Sequence, residues 1–187
     1  MANNLDAKTK TVLLGLLTIG FLGLAFIENM AFFNYAGNLF SNAPLAIVAV
    51  FVHNVLVISL ILLSMTFYVG LVVRFFPKRE YNYIVLEHPR LFAFVFTIVI
   101  IVVSIFRASM LIYQQVRVDT LAFILLMSAP NGIIEGYGIF QTLQKTFKQN
   151  MQTKDLALIY SLFFIAAVVE VCFMNGLRWI ISPQTIL

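Results

Sequence analysis

The residues of this chain that are best suited to chemistry are a few polar side chains within long apolar runs. The stretch from Ala129 to Gly138 reads APNGIIEGYG. Asn131 and Glu135 are four residues apart, so on a helix both side chains point the same way. Pro130 has no N–H and leaves a carbonyl about four residues earlier without its helical donor. The stretch therefore predicts a broken helix with amide and carboxyl groups on one side, as in the binding sites of transporters.

The glycines of the same stretch support a second interpretation. Gly132, Gly136 and Gly138 are spaced i, i+4 and i+6. Small residues at such spacing bare the backbone and allow membrane helices to pack closely. Close packing is the more common use of such a pattern. The sequence alone leaves both interpretations open.

Five further polar residues fall at membrane depth or at its border: Glu28, His53, Asn54, Arg107 and Glu170. A charge at the centre of a bilayer costs about 2.5 kcal/mol or more, so such groups usually face protein or a water-filled cavity. Arg107 and Glu170 are within a turn or two in depth and can form a pair, with Glu28 as the rival partner. A lone histidine such as His53 is more often a hydrogen-bonded packing residue than a ligand. The sequence leaves three roles open for these groups. They neutralise one another in pairs, they form a polar path for protons or a small solute, or their side chains reach the headgroups.

The composition excludes a water-soluble globule. Of the 187 residues, 61% are apolar and 11% are charged, whereas soluble domains have about 45–50% apolar and about 25% charged residues. The net charge of +4 does not indicate nucleic-acid binding, because the basic residues lie in short loops between apolar runs. Cys172 is the single cysteine, so an intrachain disulfide is not possible.

Five apolar runs predict an all-α fold, a polytopic bundle of about five transmembrane helices in a single integral membrane domain over residues 1–187. The spans are expected at about 11–30, 45–73, 91–113, 120–140 and 156–181, each near the length of about 20 residues that crosses a bilayer. The mixed polar and aromatic segment after the first span is expected in the headgroup region.

The distribution of Lys and Arg predicts the orientation of these spans. One side of the layout holds nine of these residues, namely Lys8, Lys10, Arg74, Lys78, Arg79, Arg90, Lys145, Lys148 and Lys154. The other side holds two, Arg117 and Arg178. Basic residues in short loops favour the cytoplasmic side. We therefore expect a multi-pass protein of the cytoplasmic membrane, with the N-terminus inside and the C-terminus outside.

Sequence motifs for catalysis are missing. Two histidines and one cysteine do not support a self-contained metal site of the His/Cys type. The sequence has neither Gly-x-Ser-x-Gly nor a phosphate-binding loop with lysine. We predict no catalytic residues, no cofactor and no enzyme activity of the chain alone, although it is compatible with a non-catalytic subunit of a membrane enzyme.

Three short motifs resemble the stage II sporulation protein M family of multi-pass membrane proteins. These are NVLVI from Asn54, APNGIIE ending at Glu135, and IAAVVE ending at Glu170. The family pattern is an Asn-Leu pair that opens a span, then Pro-His-Gly-x-x-Glu, then Ala-x-x-Ile-Glu. Pro130 and Gly132 also fall on motif positions, and the resemblance covers roughly residues 38–175.

Two departures bear on function. Asn131 stands where the family has histidine, and Gly-Tyr-Gly follows Glu135 where the family has Leu-Pro. A His–Glu pair is therefore not intact, which weakens a proton relay. The resemblance implies a scaffold, since the founding members gather peptidoglycan-remodelling partners during engulfment.

We expect a non-catalytic scaffold or accessory subunit that packs against other integral membrane subunits as a homo- or hetero-oligomer. The alternative is a small transporter or channel with a polar path through the fourth span.

Overall fold

The secondary structure of the described residues consists of helices and their connections. A computed structural model describes residues 6–39, 42–75, 80–113 and 115–181. Its helices are α1 Ala7–Leu39, α2 Ala43–Phe75, α3 Glu80–Glu87, α4 Pro89–Tyr113, α5 Val118–Phe147 and α6 Thr153–Ile181. All of these except α3 are long and apolar enough to cross a membrane. The predicted all-α fold with five candidate spans is confirmed, and the chain has the build of a multi-pass membrane protein.

The helices extend beyond the predicted spans. α1 continues to Leu39, although the first span was expected to end at residue 30. Amides and aromatic rings do not stop a helix, and no proline occurs before Pro44. Asn42 caps the start of α2, where its Oδ1 accepts a hydrogen bond from the backbone N–H of Leu45 at 3.3 Å. Pro44 then falls in the first turn, where its missing N–H costs no helical hydrogen bond.

The predicted break at Pro130 is wrong. α5 runs as one α-helix from Val118 to Phe147 with Pro130 inside it. A proline removes one helical hydrogen bond and crowds the carbonyl of residue i−4. The bonds on either side remain, and in membrane helices packing against neighbouring helices tolerates such a loss. The polar groups of this stretch therefore belong to a continuous helix.

Three helices form the centre of the bundle. α2, α5 and α6 contact one another, while α1 packs mainly on α2 and α4 mainly on α5. One cluster of core residues includes Ile58, Leu143 and Phe163 from the three central helices. A second cluster joins α2 to α6 through four residues, namely Ala46, Val50, Ala167 and Val171. The outer faces of α1 and α4 carry many exposed leucine, isoleucine, valine and phenylalanine side chains, which suit a hydrocarbon environment.

Polar contacts hold the two tight connections next to α5. Between α4 and α5, the buried Ser109 Oγ accepts a hydrogen bond from the backbone N–H of Arg117 at 2.9 Å. Between α5 and α6, Lys145 Nζ lies 3.3 Å from Asp155 Oδ1. Asp155 also accepts a hydrogen bond from the backbone N–H of Gln152 at 3.0 Å. These contacts link each connection to the end of a neighbouring helix.

Candidate functional site

A hydrogen bond between Asn54 and Glu135 joins α2 to α5. Asn54 Nδ2 donates to Glu135 Oε1 across 2.8 Å. Asn54 is 8% exposed, and it lies about 16 Å along α2 from Ala43 at 1.5 Å of rise per residue. The contact is therefore well inside the bundle and away from both ends of the helix.

A second bond of the same kind joins α5 to α6. Asn131 Nδ2 donates to Glu170 Oε2 across 3.2 Å. The Asn131 side chain also interacts with Glu135, one turn further along α5, and the Glu135 and Glu170 carboxyl groups are neighbours. Asn54, Asn131, Glu135 and Glu170 thus form one group, which we call the intramembrane polar cluster. The cluster contains residues from all three central helices.

The partners of the two carboxyl groups are amides. Among the side chains that the structure describes, no cationic group forms an ion pair with Glu135 or Glu170. The side chain of Arg107 is outside the described residues, so its predicted pairing with Glu170 or Glu28 stays a prediction. An amide N–H offers a carboxyl oxygen a hydrogen bond without adding a charge to the interior.

His53 and Glu28 form a separate contact between α1 and α2. His53 Nδ1 lies 2.9 Å from Glu28 Oε2 and 3.2 Å from Oε1, and its ring stacks on Phe32 at a centroid distance of 4.9 Å. His53 and Asn54 are neighbours in sequence, but adjacent residues on a helix point about 100° apart. One therefore faces α1 while the other faces α5. Sequence reasoning named both residues but missed Glu28 as the partner of His53.

A small cavity reaches one side of the polar cluster. It has a volume of about 130 Å³ and lies between α4 and α5, where Asn131, Glu135, Ser104 and Ser128 contribute the polar part of its lining. Glu170 and His53 are not among the residues that line it. Asn131 and Glu135 therefore do not share this cavity with Glu170 and His53, so the cavity does not connect all four into one polar path.

The three glycines of α5 face different surroundings. A Cβ at Gly136 would lie 3.1 Å from Ile101 Cδ1 on α4, and a Cβ at Gly138 would lie 2.8 Å from Phe163 Cε2 on α6. Nothing lies within 4 Å of a Cβ at Gly132. Gly136 and Gly138 thus allow the close approach of two neighbouring helices, as one interpretation of the sequence expected. Gly132 instead opens onto a larger, mostly apolar groove of about 420 Å³ between α4 and α5.

The positions of the metal-ligating side chain types were compared within the part of the chain that the structure describes. Within residues 6–39, 42–75, 80–113 and 115–181, no group of three or more His, Cys, Asp or Glu side chains is placed to hold a metal ion. The polar cluster itself offers two carboxyl groups and two amides. Its chemistry is hydrogen bonding between helices at membrane depth.

The class of protein that these findings define is a helical protein with five candidate membrane spans around a buried amide–carboxyl cluster. Comparisons with protein-family models, with curated proteins and with solved structures found no match to the chain. The resemblance to the stage II sporulation protein M family therefore stays a prediction based on its motifs.

Proposed function

We propose that the chain is a non-catalytic integral membrane scaffold or accessory subunit that packs against partner membrane proteins. The observation that carries this proposal is the pairing of its buried polar groups between helices. Asn54 bonds Glu135, Asn131 bonds Glu170, and His53 contacts Glu28. Each pair connects two helices, as expected of groups that hold a bundle in register.

The family resemblance points to the same function. Asn54, Glu135 and Glu170, which fall on its motif positions, are three of the four members of the polar cluster. If those motifs serve the same purpose here, they build the bundle rather than a reaction centre. The founding members of that family gather other proteins, and we propose a comparable role for this chain in the cytoplasmic membrane.

The groove between α4 and α5 is where we expect a partner helix to pack. It is bordered by small residues of α5, Ser128, Ala129, Gly132 and Gly136, and by apolar side chains of both helices. Membrane helices associate through such small-residue surfaces, because they allow backbones to come close. Gly132 is the position to test, because it lines the groove and a Cβ there would meet nothing within 4 Å.

The experiment is gentle detergent extraction and affinity purification of the chain from its native membranes. We expect one or more membrane proteins to copurify in a fixed ratio, and Gly132→Leu to lower that ratio several-fold. Gly23→Leu is the matched control, because a Cβ at Gly23 also meets nothing within 4 Å but lies on α1. A monodisperse chain without partners would contradict the proposal.

A small transporter or channel is the second candidate. The cavity at Asn131 and Glu135 favours it, since two serines and a carboxyl group line a space of about 130 Å³ next to a second carboxyl group. The test is flux of protons, sodium or potassium into liposomes that contain the purified protein. A transporter requires a flux that Glu135→Gln and Glu170→Gln abolish. Absence of flux for each of these ions, with the protein shown to be folded, would reject this candidate.

A further inference from the structure

A second groove lies between α1 and α2. It has a volume of about 500 Å³ and is bounded by α1, α2 and the connection from α5 to α6. We call it the α1–α2 groove, and its lining consists of Thr11, Leu14, Leu62, Leu63, Thr66, Val69, Gly70, Val73, Thr146, Gln149 and Met151. None of these residues belongs to the polar cluster.

The groove has the dimensions and the lining of a site for an acyl chain. Its wall on α2 follows successive turns from Leu62 to Val73, a distance of about 16 Å at 1.5 Å per residue. That distance is about half of the roughly 30 Å hydrocarbon core of a bilayer, which is the depth of one leaflet. Leucine and valine side chains form most of the wall. Of its four polar residues, Thr66 lies within the α2 wall, and the others lie where α1 begins and α5 ends, namely Thr11, Thr146 and Gln149.

Two exposed lysines are sequence neighbours of residues that line the polar end of the groove. Lys10 precedes Leu14 by four residues on α1, so the two side chains lie on the same face of that helix. Lys148 directly precedes Gln149 in the connection after α5. Both lysines are exposed, and neither takes part in an ion pair among the side chains that the structure describes. Lys145 differs, since Asp155 already accompanies it at 3.3 Å.

We propose that the α1–α2 groove binds one anionic phospholipid. One acyl chain lies along α2 between Leu62 and Val73, and the phosphate lies at the polar end near Lys10 and Lys148. A lysine close to an anionic headgroup contributes about 1 kcal/mol. The acyl chain supplies the apolar contact that retains the lipid, and the two lysines supply the preference for an anionic headgroup.

The test is native mass spectrometry of the purified protein in a neutral detergent. Dioleoyl phosphatidylglycerol and dioleoyl phosphatidylcholine have the same acyl chains and differ in headgroup charge. We expect one phosphatidylglycerol per chain, bound at least tenfold more tightly than phosphatidylcholine. Lys10→Gln and Lys148→Gln should each weaken phosphatidylglycerol binding about fivefold, the change that corresponds to about 1 kcal/mol. Arg90→Gln is the charge control, since Arg90 lies at another groove beside α4 and should leave binding unchanged.

A second pair of variants tests the acyl-chain part of the site. Thr66 is exposed at the groove, and Thr66→Trp should fill it and abolish retention of the lipid. Ser161 is a matched control, because both hydroxyls donate to the backbone carbonyl four residues earlier, and Ser161→Trp should bind lipid as the native chain does. Glycerol 3-phosphate, which lacks acyl chains, should not displace the lipid.

Four outcomes would overturn the proposal. The first two are equal binding of the two lipids and unchanged lipid binding in Thr66→Trp. The third is an equal loss of phosphatidylglycerol binding in Arg90→Gln and in the lysine variants. The fourth is full displacement of the lipid by glycerol 3-phosphate. A copurifying protein that Thr66→Trp removes, with no lipid retained by the native chain, would also overturn it, because the groove would then hold a partner.

Discussion

The amide of Asn54 donates to the carboxyl group of Glu135 across 2.8 Å and connects the second membrane helix to the fifth helix of the chain. No water is available in hydrocarbon to replace a lost hydrogen bond, so an unpaired polar group is costly there. The same helix carries Asn131, which donates to Glu170 on α6. Two hydrogen bonds from side-chain amides to carboxyl groups therefore hold α2, α5 and α6 in register.

Removing one partner of this contact should destabilise the bundle. Asn54→Leu leaves a Glu135 oxygen without its donor from α2, and a buried group left in that way costs about 1–3 kcal/mol. We expect the free energy of unfolding to fall by about that amount. This free energy is measured by unfolding the protein in mixed micelles with a rising fraction of denaturing detergent, and circular dichroism follows the loss of helix.

The double variant distinguishes the hydrogen bond from packing. Asn54→Leu with Glu135→Leu removes both polar groups, and replacement of both partners by apolar groups can be nearly neutral. We expect the double variant to be more stable than Asn54→Leu alone. If the loss of unfolding free energy in the double variant equals the sum of the losses in the two single variants, the two side chains are not energetically coupled.

The contact between Glu28 and His53 allows a similar prediction for α1. Glu28→Gln keeps an oxygen that accepts a hydrogen bond from the imidazole, so we expect stability close to that of the native chain. Glu28→Leu removes the acceptor and should weaken the packing of α1 on α2 by about 1 kcal/mol. The difference appears as faster proteolysis of the connection between the two helices in Glu28→Leu than in Glu28→Gln. Equal proteolysis of the two variants would show that the contact contributes nothing.

The membrane spans could be predicted from the sequence because each is a run of apolar residues of suitable length. The pairing of polar residues could not. It depends on the rotation of each helix about its axis, as His53 and Asn54 show. These neighbours contact Glu28 on α1 and Glu135 on α5 respectively. A difference of about 100° per residue assigns them to different interfaces.

The helix ends and Pro130 show a second limit on what can be predicted from the sequence. Hydropathy marks where apolar residues end, but a helix ends where its hydrogen bonds end, and α1 continues to Leu39. Proline lowers the propensity for a helix by about 3 kcal/mol, yet α5 continues through Pro130. The contacts of α5 with α2, α4 and α6 outweigh that local preference.

Gly138 should tolerate a larger side chain poorly. A Cβ there would lie 2.8 Å from Phe163 Cε2, and overpacking of a tight interior costs about 1–3 kcal/mol. We expect Gly138→Ala to lower the free energy of unfolding by that amount, and Phe163→Leu in the same chain to recover part of the loss. Gly132→Ala is the matched control on the same helix and should not destabilise, because its Cβ meets nothing within 4 Å. Equal losses at the two glycines would refute close packing at Gly138.

The orientation of the bundle can be tested with single cysteines. Basic loops favour the cytoplasmic side, so we predict that the α4–α5 connection is outside and the α5–α6 connection is inside. Val116 is 45% exposed in the first connection, and Lys148 is exposed in the second. In a chain with Cys172→Ser, a membrane-impermeant maleimide should label Val116→Cys in intact cells. Lys148→Cys should react only after the membrane is permeabilised, and the reverse labelling pattern would show an inverted bundle.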